Sequence, residues 1–241
     1  MPDSPGPGGV VRGPERLAFR AARAVSRVRG RPALHPHGVV LTGHLVVAAT
    51  GPRWGVAWLD RPGTYAVTAR WSRAAGLPQP LPDGLGLALR IEDADGAGRP
   101  VDLLMTSSGR GRLARHLPLP RRSAGAGPYS TLLNYTVGRR RGVIAAFPAP
   151  GAAALRADPV LVGRASRTRP LEFELCFGAE EHWHPLARLT LRHRPGSADS
   201  GYAFDPYLTP VRDFGPGRRL RALRTAAYAG SRTGRHARHG R

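Results

Sequence analysis

The sequence predicts an α+β fold in which an antiparallel β-barrel or sandwich carries a helix near its C-terminal end. Short apolar or alternating runs recur along the middle of the chain, separated by glycine and proline turns, and that pattern belongs to a barrel or sandwich. Residues 217–234 hold no proline and no acid, and their leucines and alanines favour a helix. A length of 241 residues with 41% hydrophobic residues is enough to bury one sizeable core.

Taken in order, residues 1–14 are rich in proline and glycine and read as a disordered tail, and 15–28 can form a short basic helix. Strands are expected at 39–48, 55–59, 64–72, 85–91, 101–105, 131–137, 143–147, 171–177 and 187–192. The helix at 217–234 follows. Residues 15–241 are therefore expected to form a single domain.

The formal charge is +21, and all 37 basic residues are arginine. A codon-biased genome accounts for that preference; nucleic-acid binding is the competing reading, because the acid-free stretch 217–241 would attract phosphates without sequence specificity. No zinc-finger spacing, RNP-like aromatic motif or recognition-helix pattern supports it. The single cysteine, Cys176, excludes an intramolecular disulfide and sits in an alternating run as an ordinary strand residue. No apolar run reaches the roughly 18 residues of a membrane span. The first residues lack a signal-type hydrophobic region, so a cytoplasmic protein is expected.

Several constellations carry chemistry. Strand alternation puts Arg70 and Ser72 on one face with Thr68, while Val67, Ala69 and Trp71 face the other way. A guanidinium and a hydroxyl looking into one space can bind a carboxylate and steady a histidine, and they can equally form a solvent-facing polar edge. Gly43 shares the parity of Val39, Leu41, Leu45 and Val47, so it either leaves room for something flat or marks a bulge. Glu180, Glu181, His182 and His184 look like metal ligands, but Gly178 and Pro185 bracket them as a turn and no third site is evident. The run 110–122, with five arginines, reads as an exposed basic loop.

On the C-terminal helix, at about 100° per residue, Arg224, Tyr228 and Arg235 fall within roughly 40° of one another. An arginine one turn before a tyrosine favours the phenolate. Tyrosinate is one of the few axial ligands of heme iron.

A second set of residues, in sequence order, gives that stripe its context. Leu34-His35-Pro36-His37-Gly38 leads into Gly43, then come Arg70-Trp71-Ser72, Asp83 to Arg90, and Asp102-Leu103-Leu104. This order resembles the heme catalase superfamily, in which a distal histidine precedes glycines by three and eight residues, as His35 precedes Gly38 and Gly43. Arg70 and Ser72 match the family's Arg-x-Ser, Asp83 and Gly86 its Asp-x-x-Gly, and Arg224, Tyr228 and Arg235 its proximal motif. The chain's length is similar to that of the short catalase-related proteins, a group that includes allene oxide synthase-like enzymes.

The resemblance implies a catalase-like barrel and a heme b whose iron is ligated by Tyr228, with His35 above it as the acid–base catalyst. It implies that Arg224 tunes the phenolate, that Arg70 and Arg235 hold the propionates and that Ser72 steadies the distal side. His37 shares the strand parity of His35, so a shift of register by two would exchange them. The family's distal asparagine has no good counterpart, since the one asparagine is Asn134 and serines 107 and 108 follow Asp102 instead. The expected activity is therefore peroxidase-like or organic-hydroperoxide chemistry more than fast dismutation of hydrogen peroxide. A heme carrier or sensor with little turnover and a basic nucleic-acid binder are the alternatives.

Overall fold

The structure, a computed structural model, describes residues 37–48, 52–193, 196, 204–206, 211 and 213–217. The expected tail at 1–14, the helices at 15–28 and 217–234, and His35, Arg224, Tyr228 and Arg235 all lie outside the described residues. The barrel belongs to one compact unit, Leu34–Gly217.

Eight antiparallel strands close the barrel: β1 (His37–Val47), β2 (Gly63–Arg73), β3 (Leu85–Ile91), β4 (Val101–Ser107), β5 (Tyr129–Ser130), β7 (Arg140–Pro148), β8 (Leu171–Ala179) and β9 (His182–Arg192), which pairs back onto β1. Between β5 and β7, β6 (Tyr135–Val137) pairs with the start of β7 and with β10 (Phe214–Pro216) as a side ladder. Closure removes the exposed edges that an open sheet of this length would carry. None of the described helices is long and apolar enough to cross a membrane.

Alternation decides what fills the barrel. Leu41, Leu45, Val67, Ala69, Trp71, Leu87, Leu89 and Leu103 point inward and are buried. The inner row is stitched by one polar pair, in which the Trp71 indole donates to Tyr129 Oη at 2.9 Å and the Tyr129 hydroxyl donates to the Ala124 carbonyl at 2.5 Å. Burial raises the Tyr129 pKa well above its ordinary range, so the ring enters the core as a neutral phenol.

Three expectations need correction. The apolar run 55–59 is not a strand: Ala57–Asp60 is a single helical turn, α1, because the Asp60 carboxylate accepts from the Trp54 and Gly55 N–H groups at 2.6 and 2.8 Å. Trp58 and Leu59 then join the core, and a short apolar run alone does not distinguish that from a strand. The strand expected at 131–137 is shortened to β6 (Tyr135–Val137), and residues 131–134 form a bend between β5 and β6. There Leu132 takes a φ of 57°, while the Thr131 hydroxyl donates to the Leu133 carbonyl at 2.8 Å. Residues 182–184, read as part of a turn bracketed by Gly178 and Pro185, begin β9; the turn is confined to Glu180 (φ 48°) and Glu181, and a register shift at Leu175/Cys176 absorbs Pro185. A bulge is the usual place for a proline inside a sheet.

One helix went unforeseen. α2 (Pro159–Thr168) starts at Asp158, whose side chain accepts from the Val160 and Leu161 N–H groups at 2.9 and 3.0 Å, with proline at the first helical position. It packs on β1 and β9 and sends Val162 into the core.

Candidate functional site

Strand register builds a face on the outside of β1 to β4. One row runs Gly38, Ser72, Gly86, Thr106; the next runs Val40, Arg70, Ala88, Leu104; the third runs Thr42, Thr68, Arg90, Asp102. Arg70 and Ser72 do share this face with Thr68, as alternation requires, and Val67, Ala69 and Trp71 are buried on the other. Ser72 is nevertheless only 3% exposed, so this is not an open polar edge.

Gly38 explains how the guanidinium is seated. A Cβ at Gly38 would lie 2.7 Å from Cζ and from Nη2 of Arg70, so the arginine head reaches across onto the backbone of β1. Any larger residue would push it away. With Gly86 and Ala88 alongside, this corner of the face carries small residues, the Ser72 hydroxyl and the seated Arg70 cation, and ends where β1 begins.

The third row anchors the far side of the face. Arg90 and Asp102 form a bidentate pair, Nε to Oδ1 at 2.8 Å and Nη2 to Oδ2 at 2.7 Å, and Asp102 also accepts from the Asp205 N–H at 2.7 Å. The hydrogen bond to Asp102 raises the Arg90 pKa further above its ordinary value. Arg90 also lies 5.4 Å from the Phe204 ring centre. This pair escaped sequence reasoning, although an arginine and an aspartate at matching positions of two adjacent strands were visible.

Asp83, singled out with Gly86, has a structural task. Its carboxylate accepts from the Ala75 and Leu77 N–H groups at 2.9 and 3.0 Å and pairs with buried Arg73, whose Nη1 and Nη2 donate to the carbonyls of Ala157 and Leu81. Burial pushes the Asp83 pKa up, but these donors outweigh it and leave the carboxyl below its ordinary value.

The remaining candidates are placed elsewhere. Gly43 makes no room for a flat ligand: a Cβ there would lie 1.8 Å from the Thr190 carbonyl oxygen, so its missing side chain admits the backbone of β9. His37 has its backbone opposite Arg73, in the core-facing register and not that of Arg70 and Ser72. Ser107 is fully buried in the same core-facing register, accepting from the Leu85 N–H and donating to the Leu119 carbonyl at 2.9 and 2.7 Å. Asn134 lies just before β6, where its carbonyl accepts from the Gly217 N–H. Among the described residues no three His, Cys, Asp or Glu side chains are placed to hold a metal ion.

The described cavity of note, about 230 Å³, lies at the opposite end of the barrel between α1 and the β3–β4 loop and is lined by Trp58, Arg61, Tyr65, Asp93 and Asp95. Its carboxylates are already occupied: Asp93 accepts from the Gly98 N–H and Asp95 from those of Ala97 and Arg99. It holds no pairing of acid, base and nucleophile.

Compared with solved structures, the fold is that of the catalases. Catalase A from Saccharomyces cerevisiae superposes with a TM-score of 0.65 at 11% sequence identity, covering 85% of this chain and 60% of that one. A fungal catalase gives 0.63 at 12% identity, covering 85% and 59%, and a bacterial catalase 0.57 at 12%, covering 85% and 57%. The chain thus spans about three-fifths of the length of the catalases it matches. No family model and no curated protein matches the sequence. The protein is therefore a catalase-fold barrel, with the likeness carried by the structure and not by overall sequence.

Heme, the group this fold class brings to mind, can be tested against the outer face. A flat anionic macrocycle needs a wall of small residues and a cation for its carboxylates. The row Gly38, Ser72 and Gly86, with Arg70 seated over Gly38, fits that requirement on the described side.

Proposed function

We propose that this chain is a heme-dependent, catalase-like oxidoreductase of the short catalase-related kind, acting in the cytoplasm on hydrogen peroxide or organic hydroperoxides. The observation that carries the proposal is the seating of Arg70 beside Ser72 on a largely buried face that meets the start of β1, directly after His35 in sequence.

In this reading Tyr228 would ligate the iron through its phenolate oxygen, with Arg224, four residues earlier in the sequence, favouring the charged form. Arg70 and Arg235 pair with the propionates. When bound, the ferric heme supplies the two-electron chemistry of O–O cleavage. His35 moves a proton from one oxygen of the peroxide to the other, and Ser72 keeps its imidazole oriented.

A heme carrier or sensor with little turnover is the second reading. It is favoured by Ser107, whose hydroxyl is spent on the Leu85 N–H and the Leu119 carbonyl and so does not stand in for the distal asparagine of catalases.

The test is an absorption spectrum of the full chain expressed with ample heme. The proposal expects one heme per chain with a high-spin ferric, tyrosinate-type spectrum that Tyr228→Phe abolishes and Arg70→Ala weakens by lowering heme retention. Absence of a Soret band, or an unchanged spectrum in Tyr228→Phe, would overturn it.

A further inference from the structure

Because the barrel strands alternate in direction, the connections β2–β3 (74–84), β4–β5 (108–128) and β7–β8 (149–170) all emerge at one end. Hydrogen bonds tie the three together. Asp83 and Arg121 pair through their backbones at 2.8 and 3.1 Å, the Ala157 N–H donates to the Arg122 carbonyl at 2.8 Å, and Gln79 Nε2 donates to the Ala157 carbonyl at 2.7 Å. They form one continuous rim.

This rim collects the exposed apolar side chains. Of the eight large hydrophobic residues exposed among the described residues, Val46 and Leu113 lie elsewhere, Leu113 in the 110–115 segment that hydrogen-bonds Trp183 and Glu180 along the outer wall. The first connection offers Leu77 and Leu81, and the second offers Leu117 and Leu119. The start of α2 adds Val160, 77% exposed, and Leu161. Chance scatter of surface leucines needs no explanation, but a set confined to one end of a barrel marks an interaction surface.

The charges on the same rim narrow the partner. Arg122 and Arg156 are exposed among these side chains. The rim's carboxylates, Asp83 and Asp158, are both spent on backbone N–H groups and, for Asp83, on Arg73. A second copy of a chain with a formal charge of +21 would bring arginine against arginine. The side chains project from turns and do not line a groove, so they suit insertion into a soft apolar medium better than the reception of a peptide.

We propose that this end of the barrel docks on an anionic lipid surface, the leucines entering the acyl boundary and the arginines pairing with headgroup phosphates. The inference goes beyond the heme reading and does not depend on it. Gly38 and Ser72 lie at the same end, so docking would bring the candidate site beside the lipid.

The experiment is co-sedimentation of the full chain with vesicles of phosphatidylcholine alone and of three parts phosphatidylcholine to one part phosphatidylglycerol. Binding is expected to the anionic vesicles only. It should weaken about tenfold or more in the combined variant Leu81→Ser, Leu161→Ser and stay at the parent level in Val46→Ser. In Val160→Cys labelled with an environment-sensitive dye, emission should shift to the blue on anionic vesicles; Cys176 is buried and its thiol pushed up to about 12, which leaves it slow to label. Equal binding by the leucine variant would show simple attraction of a basic chain, and no binding or no blue shift would equally overturn the proposal. A dimer in solution that the leucine variant dissolves would assign the rim to a second copy instead.

Discussion

At the scale of single residues, the buried Arg73–Asp83 pair illustrates how one carboxylate organises a barrel mouth. Both side chains are almost wholly enclosed, at 4% and 2% exposure. Asp83 also holds two loop N–H groups, while Arg73 reaches the carbonyls of Leu81 and Ala157 on two different connections. Removing one partner of such a pair strands the other charge and costs about 3–5 kcal/mol. The Asp83 carboxyl is held below its ordinary value, so its contribution is complete above the unfolded-state pKa of about 3.9 and is lost as pH falls through the lower folded value. The expected outcome is that Asp83→Asn is destabilised in urea at neutral pH and that its deficit relative to the parent shrinks on acidification below about pH 4. A deficit that stays constant to the lowest measurable pH would remove Asp83 from the acid response.

At the scale of elements, α2 shows what a cap contributes. The Asp158 side chain satisfies two N–H groups that the first turn leaves without partners, and Pro159 needs none. Asp158→Ala should cost about 1 kcal/mol, read as a lowered denaturation midpoint with an unchanged urea dependence. The signal was present in the sequence as Asp158-Pro159 with Val162 and Ser166 on one face. Three arginines between 156 and 167 obscured the periodicity. By contrast, β2 and β3 were legible almost residue for residue, because strict alternation in 64–72 and a continuous apolar run in 85–91 each admit one strand register.

At the scale of the whole molecule, the closed barrel has a packed interior, and the candidate chemistry belongs to its outer face. Ser107 does not stand in for the distal residue that would orient a small peroxide, and positioning supplies much of the rate for a two-atom substrate. Under the proposed function, conversion of an organic hydroperoxide or oxidation of a reducing co-substrate should outpace oxygen release from hydrogen peroxide. In the same assays His35→Ala should retain heme and lose on the order of a hundredfold in turnover. Vigorous dismutation with no measurable peroxidase activity, or full activity in His35→Ala, would refute this assignment.

The sequence by itself narrowed the architecture: repeated short strands predict a barrel or sandwich, the family resemblance implies a barrel, and the structure is one. It also determined which face each β2 residue takes, because alternation is a local property of an extended chain. Arg70 and Ser72 were legible for that reason. What tertiary structure alone decided is what each glycine is for and which apolar runs are strands. Gly38 and Gly43 look alike in sequence, yet one seats a guanidinium and the other admits a neighbouring strand, because the partner that fills a missing side chain comes from far along the chain. The leucine rim was hidden for the same reason. Its members are spread from residue 77 to residue 161 and meet only because antiparallel closure brings three distant connections to one end.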